Sequence, residues 1–184
     1  MKTISKAIVQ IRLVQWEEVF LEWYKSEGEN PNWLELAKSR GYNSWAEWRL
    51  DGYAKRFGCE KARWGFFEIT NPGEVVKDWF GGPFRTWIER HYSGAKTKTF
   101  AELAQEPAIL GQAAVKAMTV DYPVNSVISA LKLPDKRIFV IEGMHRACAL
   151  AVMNAQGKTT PKLIFAIGKS KLAELPAVGL NADN

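Results

Sequence analysis

The residues best suited to chemistry in this chain are consecutive: Glu142-Gly143-Met144-His145-Arg146. They join a short β-prone run, Ile138 to Ile141, to an Ala-rich run with helical character, Ala147 to Ala155. Gly143 lets the backbone turn sharply at the strand's end, and the first N–H groups of the following helix have no intrahelical partners, so the corner suits a phosphate. The helix dipole alone disfavours cations at this end. An anionic ligand is therefore the natural reason to find His145 and Arg146 there. Glu142 is open to three uses: a catalytic base, a group that orients a ligand, or a structural partner of Arg146 and nearby N–H groups. His145 and Arg146 either hold a phosphate or another anion, or the arginine is spent in a buried ion pair.

The elements that must position this corner are legible around it. Val124 to Leu131 reads as a strand, Pro134-Asp135-Lys136 as a hairpin turn, Ile138 to Ile141 as the partner strand, and Lys162 to Ile167 as a last strand after the helix ends at Gly157. Ala147 to Val152 is apolar on nearly every side, which predicts burial between the sheet and a second layer. Upstream, Phe66 to Ile69 reads as a strand and Asn71-Pro72-Gly73 opens a helix through Trp79. Gly81-Gly82-Pro83 breaks it before a segment from Phe84 to His91. Ser93 to Lys98 reads as a small, basic, mobile loop. Thr99 with Glu102 forms a capping box, and Pro107 opens a helix through Met118.

The first 65 residues read as helical and tryptophan-rich. Val9, Leu13, Trp16, Phe20 and Trp23 recur at helical spacing, yet Val9, Ile11 and Leu13 alternate with Gln10 and Arg12 as a strand would, and the pattern leaves both readings open. Asn30-Pro31 supplies an N-cap and first-turn proline, and Ser44 with Glu47 a capping box. Leu36 to Ser44 also resembles a helix-turn-helix with Arg49, Lys55 and Arg56 on its second helix. The match is loose, because Trp45 and Trp48 stand where a recognition helix exposes polar groups. Lys96 and Lys98 could close over phosphates from their loop, and Lys136 and Arg137 could extend a basic rim. His91, a lone histidine on an amphipathic segment, reads as an ordinary surface or core residue.

Composition bounds the class. A chain of 184 residues, 47% hydrophobic with eight tryptophans, can bury one good-sized core. The organisation expected is a helical extension over 1–65 packed on an α/β core at 66–168, with a tail at 169–184. A formal charge of +5 permits attraction to nucleotides or nucleic acid. Cys59 and Cys148 form no CxxC pair, and two cysteines and two histidines make no zinc cluster, so a cytoplasmic setting is expected and no protein-only metal site. No run of about 18 apolar residues occurs, and the N-terminus, with Lys2 and Lys6, lacks an unbroken apolar stretch, so no membrane partner is expected.

Tyr122-Pro123, Val127, Phe139, Gly143-Met144-His145-Arg146, Ala149 and Pro161-Lys162-Leu163 together resemble the core of the ParB/sulfiredoxin superfamily, mainly over residues 122–167. The resemblance implies an α+β fold: a small mixed sheet flanked by helices, here with a Trp-rich helical N-terminal extension. It also implies a site at Gly143, Met144, His145 and Arg146 that binds nucleotide phosphates, with ATP or another nucleotide and Mg²⁺ as cofactor and Glu142 as the catalytic acid or base. The function so implied is a nucleotide-binding protein, a phosphotransferase or hydrolase. DNA as partner of a nuclease-related regulatory protein, or a non-catalytic member of the fold, are the alternatives. Sulfiredoxins carry their reactive cysteine where this chain has Met144, which forms no thiolate, so reductase chemistry is not expected. Partition proteins carry a further arginine where this chain has Cys148.

Overall fold

The computed structural model describes residues 7–179. Lys2, Lys6 and the end of the tail from residue 180 lie outside the described residues. At the N-terminus the strand reading prevails over the helical one. β1 (Ile8–Val14) pairs antiparallel with β2 (Arg63–Ile69), with a register shift between Gln10 and Arg12. Gln15 then caps α1 (Trp16–Glu27) in a reciprocal box with Glu18, and the helical stripe begins only there, burying Trp16, Val19, Trp23 and Glu27. The first 65 residues are therefore not a purely helical extension. They add an edge strand to the same sheet, and the boundary expected at residue 65 falls inside β2.

Asn30 caps α2 (Pro31–Ser39), its side chain accepting from the Asn32 N–H at 3.0 Å. Ser44 caps α3 (Trp45–Arg49) through the Glu47 N–H at 3.0 Å. The Glu47 carboxylate reaches past the cap to the Asn43 N–H at 2.7 Å, so the box expected here closes one residue early. A π-helical turn, Leu50–Ala54, follows directly and buries Tyr53; such turns re-aim side chains within otherwise regular helix.

After β2 come α4 (Pro72–Val76), the two-residue strand β3 (Phe80–Gly81) and α5 (Arg85–His91). Gly82 is obligatory in the turn between the last two, because a Cβ there would lie 2.6 Å from the Val140 carbonyl oxygen. The loop over 93–98, expected to be mobile, is instead tied to β3: the Gly81 N–H donates to the Lys98 carbonyl at 2.9 Å, and the Thr97 hydroxyl to the Gly81 carbonyl at 2.5 Å. Thr99 and Glu102 cap α6 (Phe100–Leu103) reciprocally. The single helix expected from Pro107 is two, α7 (Pro107–Leu110) and α8 (Ala113–Val120), parted at Gly111-Gln112.

The last third follows its pattern. β4 (Ile128–Lys132), which starts four residues later than expected, turns through Asp135 and Lys136 into β5 (Ile138–Glu142), and Gly143 leads into α9 (Met144–Ala155) and then β6 (Leu163–Lys169). The strands form one mixed sheet in the order β1-β2-β6-β4-β5-β3, with β6 antiparallel to β2 and parallel to β4, so the fold is α+β. α9 is buried from Arg146 through Met153 against the sheet, α4, α6 and α8. Asn71 and Thr160 staple α4 to the approach to β6: Asn71 Oδ1 accepts from the Thr160 N–H at 3.0 Å and hydroxyl at 2.8 Å. Among the described residues no helix is long and apolar enough to cross a membrane.

Candidate functional site

The Gly143 corner has the geometry its sequence implied. Gly143 sits in the left-handed region at φ 89°, and a Cβ there would lie 3.1 Å from Ile128 Cγ1, so both backbone and space select glycine. The N–H of Ala147 returns to the Gly143 carbonyl, which leaves the N–H groups of residues 144–146 at the open end of α9. Arg146, however, turns away from that end. Its Nη2 donates to Glu142 Oε1 at 2.5 Å and its Nη1 to the Val127 carbonyl at 2.9 Å, with both side chains buried. The ion-pair use of Arg146 is thus the one the structure displays, formed across the Gly143 turn between the end of β5 and the first turn of α9. Met144 also points inward, its sulfur accepting the Gly82 N–H at 3.4 Å. It offers the corner backbone only.

Glu142 differs from an ordinary ion-paired carboxylate. Oε1 is bound to Arg146, but Oε2 is buried with no hydrogen-bond partner among the described residues. Burial pushes its pKa above the usual carboxylate range against the opposing pull of Arg146, with the Glu27 charge adding to the rise. A carboxylate held more basic than usual, with one oxygen uncommitted, is suited to accepting a proton.

The corner opens into a cleft of about 560 Å³, within the range of small-molecule sites. One wall is the corner itself with α5, contributing Trp87, Arg90 and His91. The other comes from the N-terminal helices: Glu27 of α1, Trp33 and Arg40 of α2 and its C-cap, Trp48 and Arg49 of α3, and Tyr53 of the π turn. Trp23 ties this wall to the sheet by donating to Ser129 Oγ on β4 at 2.8 Å. Four arginines and two glutamates line the cleft, an excess of two positive charges. Among the described residues, four buried side-chain polar atoms have no hydrogen-bond partner in the chain: Trp48 Nε1, His91 Nδ1, Gln112 Oε1 and Glu142 Oε2. All four belong to residues of this one cleft. Unpaired buried polar atoms are costly, and these four gather in the residues that line one cleft.

The two histidines meet across an indole. The Trp87 ring centroid lies 4.9 Å from that of His91 and 5.2 Å from that of His145. His145 keeps an edge in solvent, but the packing around its ring holds its pKa below the usual imidazole range, and His91 lowers it further. His91 is lowered by burial first and then by Arg90. Both are biased toward the neutral imidazole, which can donate or accept. Cys59 and Cys148 are buried free thiols whose pKa values burial pushes upward, which makes neither a nucleophile.

Several expected site residues do not reach the cleft. Lys98 is bound by Ser93 Oγ at 3.0 Å and by Glu106, and exposed Lys96 faces Glu174 at 3.7 Å. Lys136 and Arg137 lie at the other end of β5 from Gly143, roughly 15–20 Å along the strand. Arg137 is paired there with Asp135 at 2.6 Å. Arg49, expected on a helix-turn-helix surface, is turned inward onto Glu27. In exchange the structure brings in Glu27, Trp33, Arg40, Tyr53, Arg90 and Gln112, none of which carries a local signal; only the proximity of tryptophan and arginine along α2 and α3 hinted at such a wall.

No family model matches the chain, and no curated protein or solved structure matches it either.

Proposed function

We propose that this cleft binds a nucleotide through its phosphates and that Glu142 acts on it as a base, in a phosphotransferase or hydrolase of ParB/sulfiredoxin-like descent. The observation that carries the reading is the convergence of four unpartnered buried polar atoms on a cleft with surplus positive charge. The phosphates lie against the open N–H groups of α9, with His145 and Arg90 as side-chain donors. Arg146 serves as the positioning residue that holds Glu142 Oε1 and leaves Oε2 to the ligand. Trp33 and Trp87, both half-buried, offer ring faces for a base.

Among the described residues no three His, Cys, Asp or Glu side chains gather as a metal cluster. A Mg²⁺ would arrive on the phosphates and be held by them and by water, leaving Glu142 Oε2 for the proton. Such an ion would supply neutralisation of phosphate charge. The chain's own step is a proton transfer: Glu142 Oε2 takes the proton of an attacking hydroxyl or water, whose oxygen bonds to the terminal phosphorus. The bond to the leaving nucleotide oxygen breaks and carries the electron pair away.

Thermal denaturation with ATP, CTP, GTP and ADP, each with and without Mg²⁺, tests this. At a hundredfold excess over Kd a bound nucleotide raises Tm by roughly 5–10 °C for a chain of this size. Arg90→Ala weakens the shift, and Glu142→Gln keeps it while lowering turnover by about 100-fold or more. The absence of a shift with every nucleotide refutes the reading.

A further inference from the structure

Elsewhere in the lining of the same cleft, two guanidiniums lie close to one indole. The Arg49 carbon Cζ lies 4.1 Å from the Trp48 ring centroid and that of Arg40 lies 5.4 Å from it. Among the described residues one carboxylate pairs with either cation, and it pairs with Arg49 alone. Glu27 Oε2 accepts from Arg49 Nε at 2.9 Å and Nη2 at 2.5 Å, whereas among the described residues Arg40 donates to neutral oxygens, the Tyr53 hydroxyl at 3.1 Å and the Gly179 carbonyl at 3.2 Å. Trp48, 1% exposed, adds an indole N–H with no acceptor in the chain.

Guanidinium and indole nitrogens donate and never accept, so what completes this wall is a group made of acceptor oxygens. Two like charges about one ring, with a single counter-charge, call for that group to be an anion. Glu142 feels the charges of both Glu27 and Arg49, so this wall lies within electrostatic reach of the corner.

We infer that Arg40, backed by Trp48 and Arg49, forms a second anion subsite in the cleft, so that the phosphate chain of the ligand extends from the α9 N-terminus to the N-terminal helices. This rests on the reading of the cleft as a phosphate site and adds to it the residue that holds the second phosphate. A monophosphate fills the corner and leaves Arg40 uncompensated. A longer phosphate chain answers both.

Calorimetric titration of the full chain with AMP, ADP and ATP, and with inorganic phosphate against pyrophosphate, separates the two levels. The native protein is expected to bind ADP about tenfold or more tighter than AMP, and pyrophosphate tighter than phosphate by a similar factor, as one charge-assisted contact implies. Arg40→Gln removes that preference and leaves AMP affinity within about threefold; Arg40→Lys, which keeps the charge but not the fork, retains part of it. An unfolding midpoint close to the native one shows that Arg40→Gln folds, and Arg40→Lys carries the test if it does not. Equal binding of the short and long ligands, or a preference that survives Arg40→Gln, overturns the second subsite while the phosphate reading stands. Failure of all five probes to bind overturns both.

Discussion

Two buried glutamate–arginine pairs face the same cleft, and they do different work. In each, an arginine Nη2 meets a glutamate oxygen at 2.5 Å. Glu27 concentrates three donors on Oε2, the two from Arg49 and the Trp45 indole N–H at 3.0 Å, and so clamps α1 to α3. Glu142 receives one side-chain donor, on Oε1, and among the described residues its other oxygen has no partner. A pair saturated by its surroundings holds a fold together; a pair left half-answered is available to a ligand. The contrast follows from where each acid sits: Glu27 on a helix face among tryptophans, Glu142 on the last residue of a strand just before a glycine corner.

Removing the acids sharpens this contrast most. Glu27→Ala leaves Arg49 buried without its counter-charge and is expected to cost about 3–5 kcal/mol in urea denaturation. Glu142→Gln keeps a hydrogen-bond acceptor for Arg146 and is expected to cost clearly less; an equal loss in both would erase the distinction between clamp and site.

A smaller effect lies in pH. His91 and His145 have pKa values below the ordinary one, so between the two values the unfolded chain holds more protons and stability rises with pH. The folded state should therefore weaken as pH falls from about 6.5, the unfolded value, and denaturation midpoints at pH 7.5 and 5.5 should converge in a His91→Gln, His145→Gln double variant. Glu142 works in the opposite sense. Its raised pKa means the folded state keeps that proton longer, so its cost appears as pH climbs above the ordinary carboxylate range. An unchanged pH slope in the double variant would remove the histidines from this account.

Least should happen at Lys96. Its exposed pairing with Glu174 predicts that Lys96→Ala changes stability by less than about 0.5 kcal/mol and ligand affinity hardly at all. A marked loss of binding would return the loop over 93–98 to the site.

What the sequence revealed and what it hid divide along range of contact. The hairpin at Pro134-Asp135-Lys136, the corner at Gly143 and the helix stop at Gly157 are set by neighbours in the chain, and each was legible. Glu27 and Arg49 stand 22 positions apart, and a lone arginine after two tryptophans reads as a surface charge until the fold turns it inward. The ambiguity of Val9 to Leu13 arose because helical spacing and alternation coincide over so few residues, and pairing with β2 decided it. For Arg146 the sequence leaves a ligand anion and a buried ion pair both open, and the contact the structure displays is the pair with Glu142 at the end of β5.

β6 lies between β2 and β4, and Arg63 pairs with Lys169, across more than half of the sequence. The β1–β2 pair consequently has no partner on the inner edge of β2 until β6 has been made. A chain emerging in order from its N-terminus must hold that edge open for most of its synthesis, and closing so long a loop slows the last step of folding. During that interval the same unpaired edge is exposed to other chains, which makes the kinetics of β6 insertion the point at which folding and aggregation compete.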